Sequence, residues 1–196
     1  NGGDYYRKGD SIDKESYALG IELGSTRIKA VIIDSRRKVI SSGSHHWESR
    51  IIDGHYSYPL ADVKAGLRDA VSRLNTEDLT ISNVGISAMM HGYLVFDREN
   101  RQLAAFRTWK DTSTTEAADK LTQLFDFNIP ERWSIAHLYQ AILNKESHVQ
   151  DISFITTLAG YVHWQLTGEK VIGIGDASGM FPVKDNQWHP EYVEKF

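Results

Sequence analysis

The residues best suited to chemistry lie together in one stretch: Leu19, Gly20, Ile21, Glu22, Leu23, Gly24, Ser25, Thr26, Arg27, Ile28 and Lys29. Side chains alternate along a strand, so Leu19, Ile21 and Leu23 face a core while Gly20 and Glu22 share the other face. That face carries a gap and a carboxylate. A glycine lets a ligand approach the backbone closely, and the Gly24, Ser25, Thr26 turn offers amides and hydroxyls to an anion. These are the parts of a phosphate cradle. A carboxylate beside phosphate repels it unless a magnesium ion with its waters lies between, the usual way in which Mg²⁺ is held. Glu22 is therefore a metal candidate. The same residues also fit a plain hairpin with a glycine turn and a solvated glutamate, and the stretch taken alone leaves both readings open.

Other chemistries are excluded or weak. The chain has no cysteine, so disulfides, thiolate metal sites and thiol nucleophiles are out, which fits a reducing compartment. His45 and His46 are adjacent on a strand and face opposite ways, so they cannot chelate one metal together. Arg36, Arg37 and Lys38 form the only dense basic run and read as solvated charge on a hairpin turn. Across 196 residues, 22 Lys and Arg stand against 26 Asp and Glu, a net charge of −4. That balance gives no footprint for nucleic acid or an anionic membrane, and neither is expected as a partner. With 41% hydrophobic and 24% charged residues the chain suits a soluble globular domain, expected to be cytoplasmic. Oligomeric state has no reading in the sequence.

Several elements must hold the Glu22 stretch in place. Residues 1–16 are polar and read as a leader that need not be ordered. Residues 17–23, 28–34 and 38–47 are β-rich runs with short connections, which predicts a three-stranded antiparallel meander. Leu60, Val63, Leu67, Ala70, Val71 and Leu74 recur at helical spacing after Pro59. Strands return at 83–88 and 93–97. Ser113 with Glu116 reads as a capping box before Ala117, Leu121, Leu124 and Phe125. Ser134 reads as the cap of a helix carrying Ile135, Leu138 and Ile142, and residues 157–167 as a last helix closed by Gly168. This order predicts one α/β domain with a mixed sheet.

The Gly-Ile-Glu-Leu-Gly-Ser-Thr-Arg-Ile-Lys-Ala stretch resembles the phosphate-binding hairpin of the superfamily that unites sugar kinases, actin and heat-shock chaperones. Gly85, Ile86, Ser87, Ala88, Met89, Met90, His91 and Gly92 resemble the Gly-Gln-Met-His-Gly segment of the xylulokinase-like FGGY carbohydrate kinases. Phe106, Arg107, Thr108, Trp109, Lys110 and Asp111 resemble that family's Trp-Asn-Asp segment. Leu166-Thr167-Gly168 and Asp176-Ala177-Ser178-Gly179 complete a similar order.

The resemblance implies an actin-like ATPase (ribonuclease H-like) domain with a mixed sheet flanked by helices, over residues 17–196, ending before the family's first domain does and lacking its C-terminal domain. It implies transfer of the γ-phosphoryl of ATP to a small sugar or polyol, pentulose-like, with ATP and Mg²⁺ as cofactors. An actin-like ATP-binding module without sugar kinase activity is the alternative. Gly24, Ser25, Thr26 and Lys29 would serve the nucleotide, Glu22 the metal, and Met90, His91, Gly92, Trp109 and Asp111 the acceptor. The base, an Asp in a Gly-Gly-x-Asp segment, is expected beyond Phe196, so this chain alone is expected to be inactive. Glu22 stands where the family has Asp, Met89 where it has Gln, and Lys110 where it has Asn.

Three of the acceptor residues also have a structural reading. His91 suits a satisfied structural histidine, Trp109 a core anchor, and Asp111 a cap near Ser113. Asp176 is explained by an Asx-turn.

Overall fold

In the computed structural model, residues 16–196 are described; the leader expected over residues 1–16 lies outside them except for Ser16, which opens the first strand. Three β-rich runs joined by short connections form β1 (Ser16–Leu23), β2 (Arg27–Ile33) and β3 (Val39–His46), each antiparallel to the next. Ile28, Ala30 and Ile32 of β2 are fully buried, whereas Arg27 and Lys29 are exposed on the other face. The meander is as the sequence predicts.

A hairpin follows, β4 (Arg50–Ile52) and β5 (His55–Ser57), which the strand pattern did not reveal. Helix α1 (Leu60–Ser72) begins after Pro59, and β6 (Thr80–Ala88) then joins β1 in parallel. The resulting sheet has the order β3-β2-β1-β6, mixed as expected. Val63 and Ala70 of α1 pack onto Ile21, Leu23, Ile28 and Ala30. The helix backbone comes so close to β3 that a Cβ at Gly43 would lie 2.1 Å from the carbonyl oxygen of Ala70.

The second half is built around helices. β7 (Leu94–Phe96) precedes α2 (Thr115–Phe125) and α3 (Ser134–Leu143), and pairs with β8 (Phe154–Thr156) beyond a 3₁₀ turn at Ser147–Asp151. α4 (Leu158–Thr167) adds Leu158, Tyr161 and Val162 to the core under the sheet. It is not the last helix: α5 (Ile174–Ala177), the β9–β10 hairpin (Val183–Lys184 and Gln187–Trp188) and α6 (Pro190–Lys195) follow.

The capping readings divide. Thr157 caps α4, its hydroxyl accepting from the Gly160 amide at 3.1 Å, and Gly168 closes the helix in the left-handed conformation. The capping box on Ser113 does not form. Helix α2 starts after Thr114, Glu116 pairs with Lys120, and the Ala117 amide is instead satisfied by Gln140 of α3 at 3.1 Å. A buried amide from a neighbouring helix thus replaces a local cap. Ser134 does not cap α3 either; it is the first helical residue, after Trp133, and its hydroxyl is buried without a partner among the described residues.

Candidate active site

The parallel strands β1 and β6 end side by side, with the Met89 amide donating to the Leu23 carbonyl at 3.0 Å. A cleft of about 510 Å³ opens at that point. Open α/β sheets bind ligands outside the carboxyl ends of their parallel strands, and the volume suits a small molecule. Glu22, Gly24 and Ser25 form one wall; Met90, His91, Trp109 and Arg132 form the other.

The turn wall is held from below. The Trp47 indole donates to the Gly24 carbonyl at 2.8 Å, the Tyr58 hydroxyl to the Ser25 carbonyl at 2.6 Å, and the Trp47 amide to the Thr26 carbonyl at 3.1 Å. Burial pushes the Tyr58 hydroxyl up, so it stays a proton donor. With these carbonyls drawn into the protein, the amides of Ser25 and Thr26 have no acceptor among the described residues. Free amides on a fixed turn suit an anion.

Glu22 lies across from Lys29 on β2 and Ser87 on β6. Its carboxylate accepts from Lys29 Nζ at 3.0 Å, and both side chains are about half exposed, at 53% and 52%. An ion pair so exposed contributes little stability and is readily exchanged. No group of three or more His, Asp or Glu side chains able to hold a metal occurs among the described residues. A lone accessible carboxylate still fits Mg²⁺ of the kind that keeps most of its waters and completes its shell with phosphate oxygens.

On the acceptor wall, His91 adopts a left-handed backbone conformation, φ 68°. Its Nδ1 lies 3.0 Å from the Gly179 carbonyl and its Nε2 3.2 Å from Nε of Arg132. A carbonyl only accepts and a guanidinium only donates, so Nδ1 carries the proton and Nε2 accepts. Both ring nitrogens are thereby engaged. The Gly92 amide also donates to the Arg132 carbonyl at 3.3 Å. Arg132 is thus fixed against residues 91 and 92, while its terminal amino groups have no protein partner among the described residues. Gly179 is essential to this packing, since a Cβ there would lie 2.5 Å from His91 Nδ1. The Asp-Ala-Ser-Gly segment therefore supports the cleft from beneath.

Trp109 is 43% exposed in the cleft and is not a core anchor. Met90 is similarly exposed. Four of the expected residues lie off the cleft lining. Thr26 sits at the far side of the turn, and among the described residues Lys29 reaches only Glu22. Gly92 packs against Arg107, where a Cβ would meet its carbonyl oxygen at 2.6 Å. Asp111 is buried, pairing with His55 and accepting from the Ser113 amide at 2.8 Å. Burial pushes its carboxyl up, but the hydrogen bonds from Ser113 and His55 outweigh this and hold it below the usual range.

Asp176 lies in α5 and accepts from the Thr157 hydroxyl, so a link to the α4 cap replaces the expected Asx-turn. His45 pairs with Asp69 of α1 at 2.8 Å, while His46 is exposed. Arg132, Trp47 and Tyr58 carry no local motif. Only their placement by tertiary contacts reveals them.

A mixed sheet flanked by helices, with a cleft at the ends of its parallel strands, has the architecture of an actin-like ATPase fold. The model for the FGGY family of carbohydrate kinases, N-terminal domain, matches residues 17–196, and the chain belongs to that family. It is 23% identical to the xylulose kinase of Staphylococcus xylosus over 92% of this chain and 40% of that protein. It is 22% identical to the glycerol kinase of Thermococcus gammatolerans over 93% of this chain and 41% of that protein. The crystal structure of a xyloylose kinase from Brucella ovis superposes with a TM-score of 0.81 at 24% identity, covering 91% of this chain and 40% of that one. The chain spans about 40% of the length of these relatives. No helix among the described residues is long and apolar enough to cross a membrane.

Proposed function

We propose that the whole protein transfers the γ-phosphoryl of ATP to a hydroxyl of a small sugar or polyol, and that this chain is its N-terminal, acceptor-binding domain. One observation carries the proposal: the accessible Glu22 and Ser25, whose amide has no acceptor among the described residues, line a single cleft together with His91, Arg132 and Trp109. A bare nucleotide-binding module has no need of the second wall.

Phosphoryl transfer depends on positioning and on stabilising charge at the phosphate oxygens. The Ser25 amide would receive those oxygens. Glu22 would hold Mg²⁺ through water, the ion supplying charge neutralisation on the phosphates. Release from Glu22 frees Lys29 Nζ to approach the same anion. Arg132 would donate to acceptor hydroxyls, Trp109 would lie against the C–H face of the acceptor, and Met90 would close the apolar side. His91 has both nitrogens engaged, so its part is to hold Arg132 in place. Gly92 lets that wall pack tightly on Arg107. The base is proposed to lie beyond Phe196.

Ligand-induced thermal stabilisation of the full-length protein tests the assignment. A panel of pentuloses, hexuloses and polyols is expected to contain a compound that raises Tm, and Trp109→Ala is expected to abolish that rise while keeping the response to Mg-ATP. A protein stabilised by Mg-ATP but by no acceptor would favour the actin-like module.

A further inference from the structure

We propose that His55 is a positioning residue for Trp109, acting through Asp111, and so sets acceptor affinity from outside the cleft. The role in acceptor affinity rests on the sugar kinase reading above. Trp109 is exposed, and its ring is not locked by core packing. Its place is set by the turn that carries it, closed by the Asp111 amide donating to the Thr108 carbonyl at 3.0 Å. That turn is tied to the β4–β5 hairpin twice. The Thr108 amide donates to the Tyr56 carbonyl at 3.1 Å, and His55 Nδ1 pairs with Asp111 Oδ2.

The remaining Asp111 oxygen accepts from the Ser113 amide, so the carboxylate has one oxygen for the turn and one for the hairpin. Both partners of the pair are shielded, with side-chain exposures of 19% for His55 and 5% for Asp111. A shielded carboxylate left without its partner is costly, and the turn must move to recover one. The hairpin also leads into Tyr58, whose hydroxyl holds the Ser25 carbonyl on the opposite wall. One short hairpin thus references the aromatic wall to the phosphate turn, and His55 is the side-chain half of that link.

The full-length protein labelled with 5-fluorotryptophan gives a fluorine resonance for Trp109, assigned by its loss in Trp109→Phe. His55→Leu removes the donor to Asp111, and His55→Asn returns one close to the position of Nδ1. The Trp109 resonance is expected to shift or broaden in His55→Leu, with those of Trp133, Trp164 and Trp188 unmoved, and to return to its wild-type position in His55→Asn. In steady-state assays the acceptor KM is expected to rise at least about tenfold in His55→Leu, with the KM for ATP within about twofold of wild type, and to recover in His55→Asn. If His55→Leu does not fold, His55→Gln, which displaces the donor by about one bond, is expected to move the same resonance. An unmoved Trp109 resonance in the Leu or Gln variant, or equal changes in the Leu and Asn variants, overturns the proposal. The resonance reads position without turnover, so a protein that phosphorylates no acceptor would refute the kinase reading and leave this test of positioning intact.

Discussion

His137 provides a stability prediction that the structure makes quantitative. Its ring is fully buried in α3, stacked on Tyr93 at 6.3 Å, and neither nitrogen has a hydrogen-bond partner among the described residues. Burial pushes its pKa down from 6.5 to about 4; Asp111 opposes the shift, while Arg107, His55 and His91 add to it. Above about pH 6.5 the imidazole is neutral in both the folded and the unfolded chain. Below that, the unfolded chain binds a proton that the folded one does not, so stability falls with pH until the folded ring protonates near 4. At about 1.4 kcal/mol per unit, the loss approaches about 3 kcal/mol, most of it already present at about pH 4.5. His137→Phe keeps an aromatic ring against Tyr93 and removes both unpartnered nitrogens. Its stability advantage over wild type is expected to be larger by about 2 to 3 kcal/mol at about pH 4.5 than at about pH 7.5. Urea denaturation of both proteins at several pH values checks this, since groups that titrate alike in the two cancel in the difference. A difference that does not change with pH would refute the buried, neutral state of the ring.

Three further outcomes are expected. Arg107 is buried, donates to both carboxylate oxygens of Glu146 and lies 5.0 Å from the centre of the Tyr93 ring; Arg107→Ala should cost about 3 to 5 kcal/mol in urea denaturation, and Arg107→Met with Glu146→Leu distinctly less. Gly179→Ala places a methyl group 2.5 Å from His91 Nδ1, which should displace His91 and Arg132 and raise the acceptor KM by roughly tenfold, or about 1.4 kcal/mol, with the KM for ATP unchanged in initial-rate assays. Glu22→Ala should lower kcat far more than acceptor affinity, and wild-type turnover at saturating magnesium would count against Glu22 as the metal residue.

The β1–β3 meander was legible because three β-rich runs are joined by connections too short for a crossover, which forces antiparallel neighbours. The β4–β5 hairpin was missed because each strand has three residues, too few for a period. Its signal was the turn itself: Asp53 and Gly54 both have positive φ, at 52° and 83°, in the two-residue loop that an Asp-Gly pair favours. The capping box on Ser113 failed for a different reason, since Gln140 arrives from α3 and satisfies the amide that a local cap would have taken. In the cleft, Glu22, Gly24, Ser25, Met90, His91 and Trp109 were found from their motifs, and the structure brings them together. Arg132 was not legible. It meets His91 because the loop before α3 packs against residues 91 and 92, beyond the end of β6, a contact that no spacing in the sequence encodes.

Initial-rate assays of the full-length protein with ATP and a panel of pentuloses, hexuloses and polyols, reading both ADP and the phosphorylated product, test the cleft assignment most directly. Wild type should yield a sugar or polyol phosphate in step with ADP, and Arg132→Gln and Trp109→Ala should each raise the acceptor KM by about tenfold or more while leaving the KM for ATP within about twofold. ADP formed without any phosphorylated acceptor, or acceptor kinetics indifferent to both substitutions, would contradict the assignment of this cleft to the acceptor.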